Sequence, residues 1–290
     1  MIPLLTAASL RPFEYNLLIW LSEHRTPLLD FFFLIGTLLG TSYAYMALTP
    51  LLFGIFDRRK ACVYTSVILL SILITCLLKI LFKVDRPDHS LVMPLYTRFA
   101  DGFSFPSGHA QGSMTVFGLL ALHQKKPWTV ALCATAILWI SFSRLYFGVH
   151  YPVDIIGGWL IGGVVLLIYY SVRRFGIRIP YIIAFASMII TAFMVPNHRI
   201  QILAATLAGI YCGMSAVMLT GKIDIKADHP AIKTFCLFIG CGLLLVAGKP
   251  FLLPSAVYFL IGVWLSFASI YIERIIYRGL YPDQTEIFLD

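Results

Sequence analysis

Long apolar runs, broken only by short stretches that carry charge or proline, constrain this chain more than any other feature. They fall near residues 28–56, 61–82, 108–123, 127–143, 148–171, 179–195, 200–220, 234–248 and 251–272. The hydrocarbon core of a bilayer is ~30 Å thick and takes roughly 20 apolar residues per helical crossing. Backbone groups find no water there, so each crossing must satisfy its own hydrogen bonds, as a helix does. Of the residues, 59% are hydrophobic and 12% charged, against the ~25% charged that a soluble domain carries. The chain is therefore predicted to be all-α, a polytopic membrane helical bundle of about nine or ten crossings. The run 28–56 is too long for one upright helix and too short for two. Tilt, a break between Gly36 and Gly40, or help from the stretch EYNLLIWL at 14–21 each fits it.

Charge bears on topology rather than on partners. The net charge is +8, but the basic residues sit in short clusters between apolar runs, so no nucleic-acid partner is expected. Alternating the runs puts thirteen Lys and Arg on one side, among them Arg58, Arg59, Lys60, Lys125, Lys126, Arg173 and Arg174, and nine on the other, so the positive-inside rule makes the first side cytoplasmic. The polar stretch 83–107 and the segment 143–154 then share the non-cytoplasmic face of a plasma or inner membrane. The opening decapeptide MIPLLTAASL has no basic leader and no small-residue cleavage site, so the first crossing helix is expected to direct insertion. Cys62, Cys76, Cys133, Cys212, Cys236 and Cys241 all lie inside apolar runs without zinc spacing, and read as small buried hydrophobes.

Three polar pieces interrupt the apolar pattern. In KILFKVDRP, Lys79 and Arg86 are two helical turns apart, which on a continuous helix puts both on one face about 10 Å apart along the axis. Pro87 would then end that helix. Two cations so placed suit a multiply charged anion, and the planar fork of Arg86 suits phosphate. In FPSGHA, Ser107 is a candidate N-cap, Gly108 lets the backbone approach a ligand, and His109 sits at the mouth of the free N–H groups of the helix start. In SRLYFGVHYPVD, His150 and Asp154 are four apart. On a helix they share a face; if the helix begins at Pro152, Asp154 lies in its first turn and the preceding turn can fold His150 back onto it. A carboxylate beside an imidazole fixes its tautomer and leaves the other nitrogen as nucleophile or base. Each piece alone also fits an ordinary structural use: a snorkelling lysine, a helix cap, a His–Asp pair tying a turn.

Together, Lys79-x6-Arg86-Pro87, Pro106-Ser107-Gly108-His109 and Ser143-Arg144-x5-His150-x3-Asp154 are far more specific, since chance agreement is ~1 in 20 per position. They resemble the tripartite signature of the type 2 phosphatidic acid phosphatase superfamily, integral-membrane lipid phosphatases with an active site like that of vanadium haloperoxidases. The resemblance implies a six-helix-type catalytic core, here residues 1–174; the apolar runs beyond it, outside the signature, predict about four additional C-terminal helices in 175–290. It implies that His150 attacks phosphorus to form a phosphohistidine, that Asp154 orients His150, and that His109 protonates the leaving oxygen and later activates water. Lys79, Arg86, Ser107, Gly108 and Arg144 match the groups that hold the phosphoryl oxygens. Pro87 and Pro106 read as shapers of helix and loop, and Ser143 as a phosphate contact or a support.

The implied activity is hydrolysis of a membrane lipid phosphate or isoprenyl diphosphate, with the bilayer lipid as partner and without metal or cofactor. Stabilising charge on the equatorial oxygens is the main demand of phosphoryl transfer, and three cations answer it. A phosphotransferase handing the group to another headgroup would use the same residues. A transporter would need intramembrane charges in two similarly placed broken helices, whereas the polar residues here are confined to 79–154. His24, His89, His123, His198 and His229 match no motif and read as loop or interface residues.

Overall fold

The computed structural model describes residues 12–95, 97, 100, 102–172, 198–220, 230–248, 254–270, 272 and 275–276. These residues form ten α-helices: α1 (Pro12–Glu23), α2 (Pro27–Leu39), α3 (Ser42–Ile55), α4 (Arg58–Phe82), α5 (Gly108–Gln124), α6 (Pro127–Tyr146), α7 (Pro152–Val172), α8 (His198–Thr220), α9 (Pro230–Gly248) and α10 (Pro254–Val263). The last runs into a single π-helical turn, Trp264–Ala268. Three helices are long and apolar enough to cross a membrane, Lys60–Phe82, Pro127–Tyr146 and Pro152–Ser171. Shorter apolar helices cover Pro27–Leu39, Ile200–Ala216, Thr234–Val246 and Pro254–Ala268. The run at 179–195 lies outside the described residues.

The long run 28–56 breaks into two helices at Gly40. The N–H of Gly40 folds back to the carbonyls of Thr37 and Leu38, and Thr41 Oγ1 accepts from Ala44 N at 3.2 Å to start α3. At its other end α2 is set by Thr26, whose hydroxyl caps Leu29 N, with Pro27 in the first turn.

The chain divides into two compact units: residues 1–45 with 70–174, and residues 46–69 with 175–290. In the first, α5 packs against α6 and α7, and α6 against α1 and α2. Tyr15, Leu18, Val92, Ala110, Leu145, Tyr151 and Ile155 make its core under the loop that follows α4. The central helix α5 is not among the apolar candidates; it buries Gln111, Ser113 and Thr115. Their polar groups are met inside the bundle: Gln111 Nε2 donates to Ser71 O at 2.6 Å and Ser71 Oγ at 2.8 Å, and Ser71 Oγ pairs with Thr115 Oγ1 at 2.7 Å. Between packed helices such bonds replace water, so α5 need not present an apolar face to lipid. The outward faces of α6 and α7 do so instead, through Leu132, Leu138, Phe142, Leu160, Val164 and Leu167.

The approach of α7 to α5 depends on glycine. A Cβ on Gly158 would stand 2.8 Å from Ser107 O, and one on Gly162 would stand 2.9 Å from Gln111 O. Backbones this close are the signature of small-residue helix packing, and they set the start of α7 against the start of α5.

In the second unit α8 packs chiefly on α10 and the π-turn. Its core is Phe53, Ala61, Cys62, Ile210, Met214, Leu237, Val257, Ile261 and Leu265.

Candidate active site

The helix carrying Lys79 ends at Phe82, before Arg86, so the two cations do not share a helical face as their spacing predicts. Lys83 turns into the left-handed region at φ 49°. Val84 O then accepts from Ser104 N at 2.7 Å, tying the outgoing chain to the returning one. Arg86 stands before Pro87, a position biased away from helix. The side chains converge by another route, on the loop that returns to α5. Lys79 Nζ donates to the carbonyls of Phe103 and Ser104, the latter at 3.2 Å, and Arg86 Nε donates to Gly102 O at 2.9 Å.

That loop enters α5 through a cis Phe105–Pro106 bond, and Ser107 caps the helix by accepting from Ala110 N, as the sequence predicts. Ser107 N donates to Asp154 O at 3.0 Å, joining the starts of α5 and α7. Gly108 is not demanded by the protein's own packing: a Cβ there would meet only Thr75 Cγ2, at an ordinary 3.7 Å.

Between α6 and α7 the chain makes a tight turn. Gly148 adopts φ 67°, its N–H bonds Leu145 O at 2.9 Å, and Val149 N bonds Arg144 O at 3.2 Å. A side chain at Gly148 would be strained at that φ and would crowd Val92 Cγ1 at 2.7 Å. The turn delivers His150 just ahead of α7, which begins at Pro152 and carries Asp154 in its first turn.

His150 is almost fully buried and held at both nitrogens. Nδ1 lies 3.1 Å from Asp154 Oδ2, and Nε2 lies 3.1 Å from Arg86 Nη1, which also donates to Val149 O at 2.7 Å. A guanidinium has only donors, so Nε2 is the accepting nitrogen and Nδ1 carries the proton toward the carboxylate. Asp154 Oδ2 also receives Tyr151 N at 2.9 Å and the hydroxyl of Ser104. Hydrogen bonds to a charged acceptor contribute about 1.5–3 kcal/mol each, so this oxygen is firmly placed.

Arg144 is fully buried on α6. Its Nη1 donates to Thr37 Oγ1 at 3.2 Å, and Thr37 Oγ1 pairs with Ser143 Oγ at 2.7 Å. Ser143 spends its own proton on Ile140 O at 2.6 Å, so Thr37 donates to Ser143 while accepting from Arg144. Of the two uses expected for Ser143, these contacts fit the support. The carbonyl of the same Thr37 also stands near the His109 ring. Nε2 of His109 is buried without a hydrogen-bond partner among the described residues. Ser104 and Thr37, both fully buried, are the two residues that the motif reading misses.

Arg86, Lys79, Arg144 and His109 all lie within electrostatic reach of the His150 ring. Burial first, and then the cations Arg86, Lys79 and Arg144, hold this imidazole well below its ordinary value of 6.5. Its contact with Asp154 at neutral pH is thus a hydrogen bond from a neutral ring to a carboxylate, not an ion pair.

Residues 60–178 match the family model described as the PAP2 superfamily. The chain is a member of the PAP2 superfamily of membrane lipid phosphatases. Among curated proteins, this PAP2 chain is 34% identical over 131 residues to the undecaprenyl-diphosphatase of Sulfolobus acidocaldarius, covering 42% of this chain and 60% of that protein. It is 26% identical over 152 residues to the undecaprenyl-diphosphatase BcrC of Bacillus subtilis, covering 52% of this chain and 77% of that protein. The chain thus spans less than two thirds of the Sulfolobus relative's own length. In fold it resembles the crystal structure of a transmembrane PAP2-type phosphatidylglycerolphosphate phosphatase from Bacillus subtilis, with a TM-score of 0.52 and 22% identity over 59% of this chain and 90% of that one. The PAP2 protein described here is an integral membrane protein, and its match begins after α2, so Thr37 stands outside the segment by which the family is recognised.

Proposed function

We propose that this PAP2 protein hydrolyses a lipid phosphate or isoprenyl diphosphate through a phosphohistidine on His150. The observation that carries this reading is the placement of the His150 ring, with the Nδ1 proton on Asp154 and the Nε2 lone pair facing the Arg86 guanidinium. That nitrogen is a nucleophile aimed at the group that would hold the phosphoryl oxygens.

Nε2 of His150 attacks phosphorus, an N–P bond forms, and the bond from phosphorus to the lipid oxygen, or to the lipid-bearing phosphate of a diphosphate, breaks. His109, which takes up a second proton when the anionic phosphate stands beside it, gives that proton to the leaving oxygen. It then takes a proton from water, whose oxygen attacks phosphorus and displaces His150 to release phosphate. Lys79, Arg86 and Arg144, with the N–H groups at the Ser107–Gly108 entrance of α5, stabilise charge on the equatorial oxygens. The space beside Gly108, which no packing demand explains, supports a close approach of backbone to phosphate. Because three cations supply this stabilisation, the reaction needs no metal.

The names of the relatives favour an isoprenyl diphosphate as substrate class. The basic clusters at 58–60, 125–126 and 173–174 support a site on the non-cytoplasmic face, with residues 1–174 as the catalytic part. The test is phosphate release by the purified protein from undecaprenyl diphosphate, phosphatidylglycerol phosphate, phosphatidate and sphingosine phosphate, with His150→Ala as control. Release from the isoprenyl diphosphate above that control is expected. No release from any of the four overturns the reading.

A further inference from the structure

We propose that Ser104 is a positioning residue for the reaction, its hydroxyl acting as a third member beside Asp154 and His150. The inference rests on the phosphohistidine reading above. Ser104 Oγ donates to Asp154 Oδ2 and lies 3.2 Å from His150 Nδ1. A hydroxyl has one proton and two lone pairs. With the proton given to the carboxylate, a lone pair is left facing the Nδ1 proton, so that proton is shared between Asp154 Oδ2 and Ser104 Oγ. The three groups form a closed triangle, and the imidazole can neither tilt away from Asp154 nor change tautomer without breaking two contacts.

The backbone of Ser104 has separate work. Its N–H bonds Val84 O at 2.7 Å, and its carbonyl accepts from Lys79 Nζ at 3.2 Å. Neither bond involves the side chain, so the loop stays fixed when the hydroxyl is removed. The residue is fully buried, which prevents water from replacing the lost group at bulk cost. Ser104 matches no position of the tripartite motif, and nothing but its tertiary placement singles it out.

The hydroxyl has two consequences for His150. It fixes the angle of attack, and it draws charge from the carboxylate that would otherwise fall on the Nδ1 proton. The other charged or titratable groups facing the ring are Arg86 from the loop after α4, Lys79 from α4, His109 from α5, Arg144 from α6 and Asp154 from α7. All of them remain in Ser104→Ala.

The experiment is steady-state phosphate release from undecaprenyl diphosphate in detergent micelles by wild type, Ser104→Ala, Ser104→Thr, Asp154→Asn, Ser104→Ala/Asp154→Asn and His150→Ala. In Ser104→Ala, kcat falls on the order of tenfold with KM nearly unchanged, since a small misplacement of a reacting group costs turnover rather than binding. Without the hydroxyl, Asp154 acts on Nδ1 more strongly and the imidazole becomes more basic. The acid limb of kcat/KM therefore moves to higher pH. Ser104→Thr keeps a hydroxyl and recovers most of the turnover. In the Asp154→Asn background the alanine costs less than about twofold, because the two groups act as one unit. A wild type no more active than His150→Ala overturns the phosphatase reading and the positioning role with it. An active wild type that Ser104→Ala matches in kcat and pH profile overturns the positioning role alone.

Discussion

Arg86 Nη1 sits 3.1 Å from Nε2 of His150, so the cation that would hold a phosphoryl oxygen also occupies the lone pair that would attack phosphorus. The same N–H group reaches Val149 O at 2.7 Å, fixing the guanidinium against the turn that carries the histidine. An arriving phosphate offers these N–H groups better acceptors than a neutral imidazole does, and Nε2 is freed as the oxygens are gripped. Lysine at this position would keep the charge but lose the planar fork that reaches Gly102 O through Nε and the His150 turn through Nη1. Arg86→Lys is expected to lower kcat/KM about 100-fold in phosphate-release kinetics, through both kcat and KM. A drop confined to KM would mean that the guanidinium only binds.

The burial of His150 fixes the sign of its pH dependence. Its pKa is held below 6.5 by burial and by Arg86, Lys79 and Arg144, so the ring is neutral, and nucleophilic, at neutral pH and somewhat below. Protonation on the acid side removes the lone pair, and the acid limb of the kcat/KM profile should therefore fall below pH 6.5. The unfolded chain takes up a proton near 6.5 that the native ring refuses, so stability declines as pH drops through that region. A profile with its acid limb above 6.5 would contradict the neutral ring.

Much of this site is legible in the sequence because its motifs carry their chemistry locally. Ser107 caps its helix from one turn away, and His150 meets Asp154 across a single turn. Where the reading departs from the structure, the deciding contact is long-range or the backbone is unusual. The shared face expected for Lys79 and Arg86 required an unbroken helix, and Lys83 ends it in a conformation that lysine seldom adopts. Ser104 and Thr37 are ordinary residues in sequence, one in a loop and one in an apolar helix. They matter because folding sets them against Asp154, Arg144 and His109. The run 28–56 left three options open, and the backward hydrogen bonds of Gly40 settle on the break.

The proposed mechanism gives no role to a metal, and this leads to a direct assay. Lys79, Arg86 and Arg144 surround the proposed phosphate position, and a divalent ion there would meet like charge. Phosphate release should persist in millimolar EDTA. Loss of activity in chelator with recovery on adding magnesium would overturn the metal-independent mechanism.

Thr37 links α2 through its hydroxyl to Arg144, one of the groups proposed to hold the phosphoryl oxygens, and its carbonyl stands near His109. Thr37→Val keeps the shape and the carbonyl but leaves Arg144 and Ser143 without the hydroxyl between them. Arg144 should then hold the phosphoryl oxygens less well, with kcat/KM down about tenfold and inhibition by inorganic phosphate weakened in parallel. Thr37→Ser, which retains the hydroxyl, should restore both. Equal phosphate inhibition in wild type and Thr37→Val would show that Arg144 is held without this residue.

Gly158 tests whether the site depends on how closely α7 lies against α5. A Cβ there would be 2.8 Å from Ser107 O, 2.9 Å from Ala110 Cβ and 3.0 Å from Gln111 N. Two of these are backbone atoms of the α5 entrance, which cannot rotate aside, so alanine must push the helices apart. Overpacking of this kind costs about 1–3 kcal/mol. The displacement also acts on the bond from Ser107 N to Asp154 O, which is 3.0 Å long and joins the helix start proposed for phosphate to the residue proposed to aim the nucleophile. Gly158→Ala should therefore lower the unfolding midpoint in detergent and reduce turnover, although none of the three atoms nearest to the added Cβ belongs to a histidine. Gly163, whose Cβ would meet only Met114 Cε at 3.7 Å, is the internal control: the same substitution there should leave both nearly unchanged. Equal behaviour of the two alanine variants would refute the dependence of the site on this helix contact.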